Sequence, residues 1–389
     1  MYIGKGVIIG TFTGLLILLL FIGFSSGMIQ NYKTNFQKNF SQLFRNFKSD
    51  KLPPIETPPP DMQYATEVAN STIISLDDMN ESQFASYKDG IICAKMNHLT
   101  FINNDGTIGW ETDTAIVDPI LKTEGGYILL AEKNRNKICM YNDRKLIYDI
   151  DDPDTIIAAE ISSAGDAVII TDKSSYKGGI SVYNKTGARI FSWASGSNMV
   201  ISADISAASR RVAVSLLNTD VTVGSVIMLF DVNKTESDAK IAFDDTVIFN
   251  MHFIGDLLCG FGDNRIIGIT AGGRVVYNQS FENEQLTHCA IDTSGNKLVS
   301  LDDGNIPIIN MYSKRGSLTE TATLTGVTDF IDIKNKTIVY NLGRDVYFGK
   351  INSGSIIKYT SAMDIKDLII TSSRSFVIVY SNSVEFVTV

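Results

Sequence analysis

The feature that most constrains this chain is a segment that recurs about every 40 residues. "AEISSAGDAVII", "ADISAASRRVAV", "CAIDTSGNKLVS" and "FIDIKNKTIVYN" align without a gap on Ile161, Ile205, Ile291 and Ile331. Four residues on stand the turn positions Gly165, Ser209, Gly295 and Asn335; seven on stand Val168, Val212, Leu298 and Ile338. The steps are 44, 86 and 40, the middle one being two periods. "LKTEGGYI" and "IITSSRSF" extend the register on Leu121 and Ile369, at steps of 40 and 38. A second series of strand–turn–strand segments lies between, centred on Gly106, Arg144, Gly187, Asn233, Gly272, Gly316 and Gly354.

From residue 66 onward no helical period is convincing. Short runs rich in Ile, Val, Tyr and Phe alternate with Gly, Asn, Asp and Ser turns. So many short strands suit neither one sandwich nor a small barrel, whereas four strands per period make a propeller blade. The expected fold is an all-β propeller of eight blades, seven remaining open if one unit is misread. The units fall near 84–113, 119–151, 156–194, 199–243, 247–281, 286–324, 327–361 and 365–389. The last offers three strands, "DLIITS", "SFVIVYS" and "SVEFVTV", and lacks a fourth, which leaves an open edge. "NSTIISLDD", residues 70–78, is an unassigned strand at the other end of the chain. Pairing it beside "VEFVTV" closes the ring.

The front of the chain reads differently. Residues 7–24, "VIIGTFTGLLILLLFIGF", carry no charge, and with residues 27–29 they reach the roughly 20 residues of a spanning helix. A cleaved signal peptide has an apolar region of about 7–15 residues, so the run is read as an anchor. Lys5 favours a cytoplasmic tail, and five basic residues after the span pull the other way. In "NYKTNFQKNFSQLFRNFK" the residues Phe36, Phe40, Leu43, Phe44 and Phe47 recur at helical spacing among basic ones, which suits a helix on anionic headgroups or a stalk. "LPPIETPPPD" follows as a stiff spacer. The expected division is 1–6 tail, 7–29 transmembrane anchor, 30–52 basic amphipathic stalk, 53–65 Pro-rich linker and 66–389 propeller.

Charge follows the same division. Of the 34 basic and 43 acidic residues, six basic and one acidic fall in residues 1–52, a local net of +5 that leaves about −14 for the rest. An acidic body repels phosphate backbones, so nucleic acid is not an expected partner.

"FINNDGTIGWETD" and "VYNKTGARIFSWAS" hold the two tryptophans, Trp110 and Trp193, each after a glycine turn at Gly106 or Gly187. They resemble the repeat of quinoprotein-like (PQQ-like) propellers, in which a tryptophan after that turn packs on the next blade. The layout of span, basic stalk, Pro-rich spacer and repeats resembles membrane-tethered propellers of Gram-positive bacteria. Tyr148, Phe243, Phe281 and Tyr359 stand where further tryptophans are expected. The resemblance implies a fold, a tethered location and a blade-packing role for Trp110, Trp193, Gly106 and Gly187. It implies no activity.

Residues that could carry chemistry are few. His98, His252 and His288 have no partner at ligand spacing. Cys93, Cys139, Cys259 and Cys289 lie far apart in apolar runs and read as buried thiols. "SSYK", residues 174–177, sits in a loop rather than on a helix, and "CGFGDN", residues 259–264, opens no helix that could cradle phosphate. "DIDDPD", residues 149–154, and "LDDGN", residues 301–305, offer oxygen ligands in turns but complete no calcium loop. No catalytic residue, metal or cofactor is expected. The reading is a membrane-anchored, non-enzymatic propeller outside the cytoplasm, binding an envelope protein or a wall glycan. Its alternatives are a WD40-like scaffold on the cytoplasmic leaflet, and a ligand sensor or quinoprotein-type enzyme using the central channel.

Overall fold

The computed structural model describes residues 64–65, 70–76, 79, 82–219, 222–281, 284–351 and 356–389. The expected anchor, stalk and most of the linker lie outside the described residues. Among the described residues no helix is long and apolar enough to cross a membrane.

Eight antiparallel sheets follow one another along the chain. Blade 1 consists of Gln83–Tyr87, Gly90–Lys95, His98–Asn103 and Ile108–Asp113. Blade 2 consists of Pro119–Glu124, Tyr127–Glu132, Lys137–Asn142 and Lys145–Asp151, and blade 3 of Thr155–Ile161, Ala167–Asp172, Gly179–Tyr183 and Arg189–Ala194. Blade 4 is Met199–Ile205, Arg211–Asn218, Gly224–Asp231 and Ser237–Phe243; blade 5 is Ile248–Ile254, Leu257–Gly262, Arg265–Thr270 and Val275–Ser280. Blade 6 is Gln285–Ile291, Lys297–Asp302, Ile308–Tyr312 and Leu318–Thr323; blade 7 is Ile331–Lys334, Thr337–Leu342, Asp345–Gly349 and Ile356–Thr360. Blade 8 takes Asp367–Ser372, Ser375–Val379 and Ser383–Thr388 from the end of the chain and Asn70–Ser75 from its front. The fold is therefore the expected all-β, eight-bladed propeller.

The closing strand pairs antiparallel, Asn70 opposite Thr388 and Ser75 opposite Ser383. There is a second tie, with no strand pattern in the sequence to announce it: Tyr64–Ala65 runs parallel to Ile356–Ile357 on the outer edge of blade 7. The front of the chain thus covers the edges of two neighbouring blades.

Strands buried on both faces explain why the inner runs are almost wholly apolar. Alternate side chains face opposite neighbours, so each blade contributes to two cores. In blade 7, Ile338 and Tyr340 join a cluster with Leu298 and Met311 of blade 6. The residue between them, Val339, joins Leu368 and Phe376 of blade 8. The described residues form eight such clusters, one at each blade boundary. Ile91 and Ile102 of blade 1 share the last with Val377, Val384 and Phe386 of blade 8 and with Ile74 of the closing strand. Each fully buried aliphatic side chain contributes about 1.5–3 kcal/mol, so stability is spread over all eight seams.

The gapless alignment on Ile161 needs one correction. Blades 2 and 7 turn between their first and second strands in two residues, with Glu124 opposite Tyr127 and Lys334 opposite Thr337. Blades 3 and 6 use five residues there, pairing Ile161 with Ala167 and Ile291 with Lys297. Leu121 and Ile331 therefore lie two residues too early to be equivalents of Ile161. A slip of two keeps the same face of a strand, which is why the apolar pattern survived it.

Candidate functional site: the polar ring of the central channel

The first strands of successive blades pack side by side around the axis, and blade 1 meets blade 8 to close the circle. These strands hold the polar groups that the apolar pattern cannot place. At their C-terminal ends lies a polar ring, to which blades 2, 3, 4 and 7 contribute acids and lysines.

Asp204 of blade 4 is buried, and its Oδ2 accepts the backbone N–H of Phe253 in blade 5 at 2.5 Å. Asp332 of blade 7 makes the same contact, accepting the N–H of Ile370 in blade 8 at 2.8 Å. Lys122 of blade 2 reaches Glu160 of blade 3 at 2.9 Å. Lys334 of blade 7 passes over blade 8: its Nζ donates to the Thr371 carbonyl at 2.8 Å and to Ser86 Oγ of blade 1 at 3.0 Å. The ring thus ties neighbouring blades where the sheets come closest to the axis.

Burial and like charge set the electrostatics. Burial pushes the Glu124 carboxyl up to about 7, helped by the charge of Glu160. Asp204 is held well above the ordinary carboxylate range, first by burial and then by Glu160, against two backbone N–H donors. Burial lifts Asp332 to about 6 and lowers the Lys334 ammonium. The arrangement can exchange protons near neutral pH and can hold blades in register. Among the described residues no group of three or more His, Cys, Asp or Glu is placed to hold a metal ion.

The motifs singled out in the sequence are dispersed and engaged locally. In residues 149–154, Asp149 and Asp151 pair with Lys137 at 2.8 and 3.6 Å. Asp152 is buried and accepts the Tyr183 hydroxyl at 2.7 Å, and Asp154 pairs with Lys173 at 3.4 Å. In residues 301–305, Asp302 and Asp303 accept the N–H groups of Gly304 and Asn305, the geometry of Asx turns. The glycines of residues 259–264 let the strand pack closely: a Cβ on Gly260 would lie 2.7 Å from Ile267. Residues 174–177 form the loop between the second and third strands of blade 3 and expose Tyr176. His98 lies beside Asp113 and Glu111 at the edge of blade 1, while His252 and His288 lie on the first strands of blades 5 and 6. No cysteine is in a disulfide; Cys289 is only partly buried, which departs from the expectation for all four thiols.

The residues expected to pack blades lie at blade boundaries. Trp193 lies 5.1 Å from Phe230 of blade 4, centroid to centroid. Trp110 stacks on Phe101 of its own blade at 5.9 Å and borders a cluster shared with Leu121 and Ile128 of blade 2. Tyr148 packs with Ile161 and Tyr183 of blade 3, and Phe281 with Tyr312 of blade 6. The glycine turns face the preceding blade. Gly187, at φ +85°, leaves room for Tyr148 of blade 2, and Gly106, at φ +86°, for Ile74 and Thr72 of the closing strand.

The channel acids were missed, although their signal was present. Glu160 and Asp204 each immediately precede an aligned anchor, Ile161 and Ile205. Asp332 precedes Ile333, and the two-residue slip of blade 7 hid that correspondence.

Comparison with known proteins bears on the architecture. A family model described as "Family of unknown function (DUF5711)" matches residues 62–389. No curated protein matches the sequence. Among solved structures, BamB from Moraxella catarrhalis superposes with a TM-score of 0.55 at 14% identity, covering 83% of this chain and 100% of that one. Sqt1 of Saccharomyces cerevisiae gives a TM-score of 0.57 at 10% identity, covering 84% of this chain and 99% of that one. At such identities the similarity establishes the propeller fold alone.

Proposed function

The chain belongs to the DUF5711 family, and from that premise we propose that it is a membrane-tethered scaffold that binds a protein partner on one face of the propeller, with no catalysis of its own. The tether is the apolar run of residues 7–29, and the propeller stands outside the cytoplasm. The carrying observation is the composition of one face. Turns between second and third strands and the crossovers between blades all lie on the same side, because the strands of each blade alternate in direction. On that crossover face Met96, Val117, Tyr176 and Ile306 are exposed, at 55%, 39%, 49% and 53%. Exposed acids surround them, among them Asp172, Asp244 and Asp303. Large apolar side chains held out from rigid turns among charges suit the centre and rim of a protein interface. The acidic rim favours a partner with a basic surface.

Photo-crosslinking groups placed at Tyr176 and Ile306 in cells test this reading. It expects discrete protein adducts from both sites, reduced by Met96→Asp. Adducts confined to the opposite face, or absent at both sites, would refute it. Resistance of the protein to carbonate extraction, and protease access to the propeller on intact cells, test the tether and the compartment.

A further inference from the structure

The opposite face carries the first-to-second and third-to-fourth strand turns, and its charge has the other sign. In each of blades 2 to 6 the outer turn contains a basic residue: Arg144, Lys185, Lys234, Arg274, and Lys314 with Arg315. Lys234 is paired with Asp238 at 2.7 Å. Arg144, Lys185, Arg274 and Arg315 are exposed and make no ion pair among the described residues. Of the acids on these turns, Asp143 pairs with Lys88, while Asp105 and Glu236 keep their charge; Asp89 and Asp256 are the exposed acids of the first-to-second turns, and the lysines and arginines of the face outnumber them.

Apolar side chains stand on the same rim. Ile108, Leu146, Val275, Val276 and Leu318 open the outer strands just after these turns and are exposed by 40–53%. Three of the turns repeat one arrangement, basic then apolar: Arg144-Lys145-Leu146, Arg274-Val275-Val276, and Lys314-Arg315 followed by Leu318. The chain also enters from this face. Asn70 sits opposite Thr388 at the end of a third strand, and Tyr64–Ala65 begins beside the start of a fourth.

We propose that this face is a docking surface for an anionic lipid bilayer, with Arg144, Lys145, Arg274 and Arg315 on the headgroups and Leu146, Val276 and Leu318 at the interface. Cations attract anionic lipid over roughly a Debye length, and short apolar side chains beside them deepen the contact. A partner protein does not fit this rim as well: its apolar residues are spread around a circumference rather than gathered in one patch. The inference rests on the tethered reading only in that a tether keeps the face near lipid; the surface itself belongs to the propeller. Its consequence is orientation, with the acidic face turned away from the membrane.

The test uses the full chain in nanodiscs of phosphatidylcholine alone, or of phosphatidylcholine with phosphatidylglycerol at seven to three. Hydrogen exchange is followed in residues 142–148, 272–277 and 313–319 against residues 172–178 and 301–307. Exchange in the first set should slow about threefold or more in the anionic discs only, and recover in about 0.5 M salt. The variant R144E/K145E/R274E/R315E, altered only at exposed side chains, should lose the protection; L146S/V276S/L318S should weaken it. Equal exchange in both discs, or protection of the second set instead, overturns the proposal. If the chain enters neither disc the tether fails, and the docking surface is then read by sedimentation with vesicles of the same two compositions. There, about tenfold stronger binding to the anionic vesicles sustains it and equal binding overturns it. Release from anionic vesicles by millimolar inorganic phosphate overturns it too, in favour of a free-phosphate site.

Discussion

Asp204 and Phe253 are joined across the boundary between blades 4 and 5 by a carboxylate-to-backbone hydrogen bond of 2.5 Å. A ring of eight sheets converges on its axis, where side chains run out of room and backbone groups of neighbouring first strands come near one another. An acid in that position satisfies an N–H of the next blade that no ladder of its own sheet can reach. Replacing Asp204 with Ala leaves that N–H buried and unpaired, at a cost of about 1–3 kcal/mol. Asp204→Asn keeps an acceptor and should recover most of it. Chemical denaturation of the two variants separates the outcomes; equal loss in both would show that charge, rather than the hydrogen bond, is what matters.

The same ring makes stability depend on pH. Glu124, lifted to about 7, and Asp332, lifted to about 6, bind protons more tightly folded than unfolded, and so does Asp204. The contribution of Glu124 and Asp332 is therefore fully present below their ordinary range near pH 4 and is lost as pH rises through about 6 to 7; that of Asp204 has the same sign. The thermal midpoint should fall between pH 5 and 8. Glu124→Gln should flatten that slope and stabilise the protein at pH 8 by about 1–3 kcal/mol. A midpoint that rises across this window would contradict the assignment.

The closing strand should matter far more than the spacer before it. Removing residues 70–75 strips Ser383–Thr388 of its partner and uncovers Val384 and Phe386. Cooperative unfolding should disappear or soften by many degrees, whereas removing residues 53–60 should leave it unchanged. Ile74→Ala, a milder variant, should cost about 1–3 kcal/mol, since the side chain is only partly buried. Calorimetry of the three proteins checks the order.

Glycine at the outer turn serves the seam between blades. A Cβ on Gly187 would lie 2.9 Å from Tyr148, whereas one on Gly343, also at positive φ, would meet nothing within 4 Å. Gly343→Ala should therefore cost only the left-handed strain, about 1 kcal/mol, and Gly187→Ala about 1–2 kcal/mol more. Equal losses would mean the neighbour yields freely.

For the tryptophans we propose blade packing. Trp193, against Phe230, and Trp110, on Phe101, are partly buried, so each change to Ala should cost about 2–4 kcal/mol, toward the low end for large aromatics. Acrylamide should quench both weakly. Strong quenching with unchanged stability would favour a glycan-stacking role instead.

The architecture was legible because a blade is a local unit with a fixed length. The turn glycines and apolar runs declare the period, and the orphan strand at residues 70–75 declares the closure. What was illegible depends on position around the circle. Asp204 and Asp332 do the same work, yet the shorter turn of blade 7 shifts them two residues apart in an ungapped alignment. Arg144, Arg274 and Arg315 look like ordinary turn residues until strand direction assigns every outer turn to one side. Tyr64–Ala65 is too short to announce itself, and its parallel pairing gives no alternation to read.

The closure also has a meaning in time. Asn70 and Thr388 are paired but stand 318 positions apart along the chain. During synthesis the first of these strands leaves the ribosome long before its partner exists. At a typical elongation rate of about 5–20 residues per second it waits for tens of seconds with an unsatisfied edge. Seven blades can meanwhile form one after another from local hairpins, each on the seam left by the last. The eighth cannot form until its final strand has been made, so a prematurely terminated chain exposes two open edges at once. Until the ring is completed, the waiting strand is where a chaperone or protease would find an unfinished molecule.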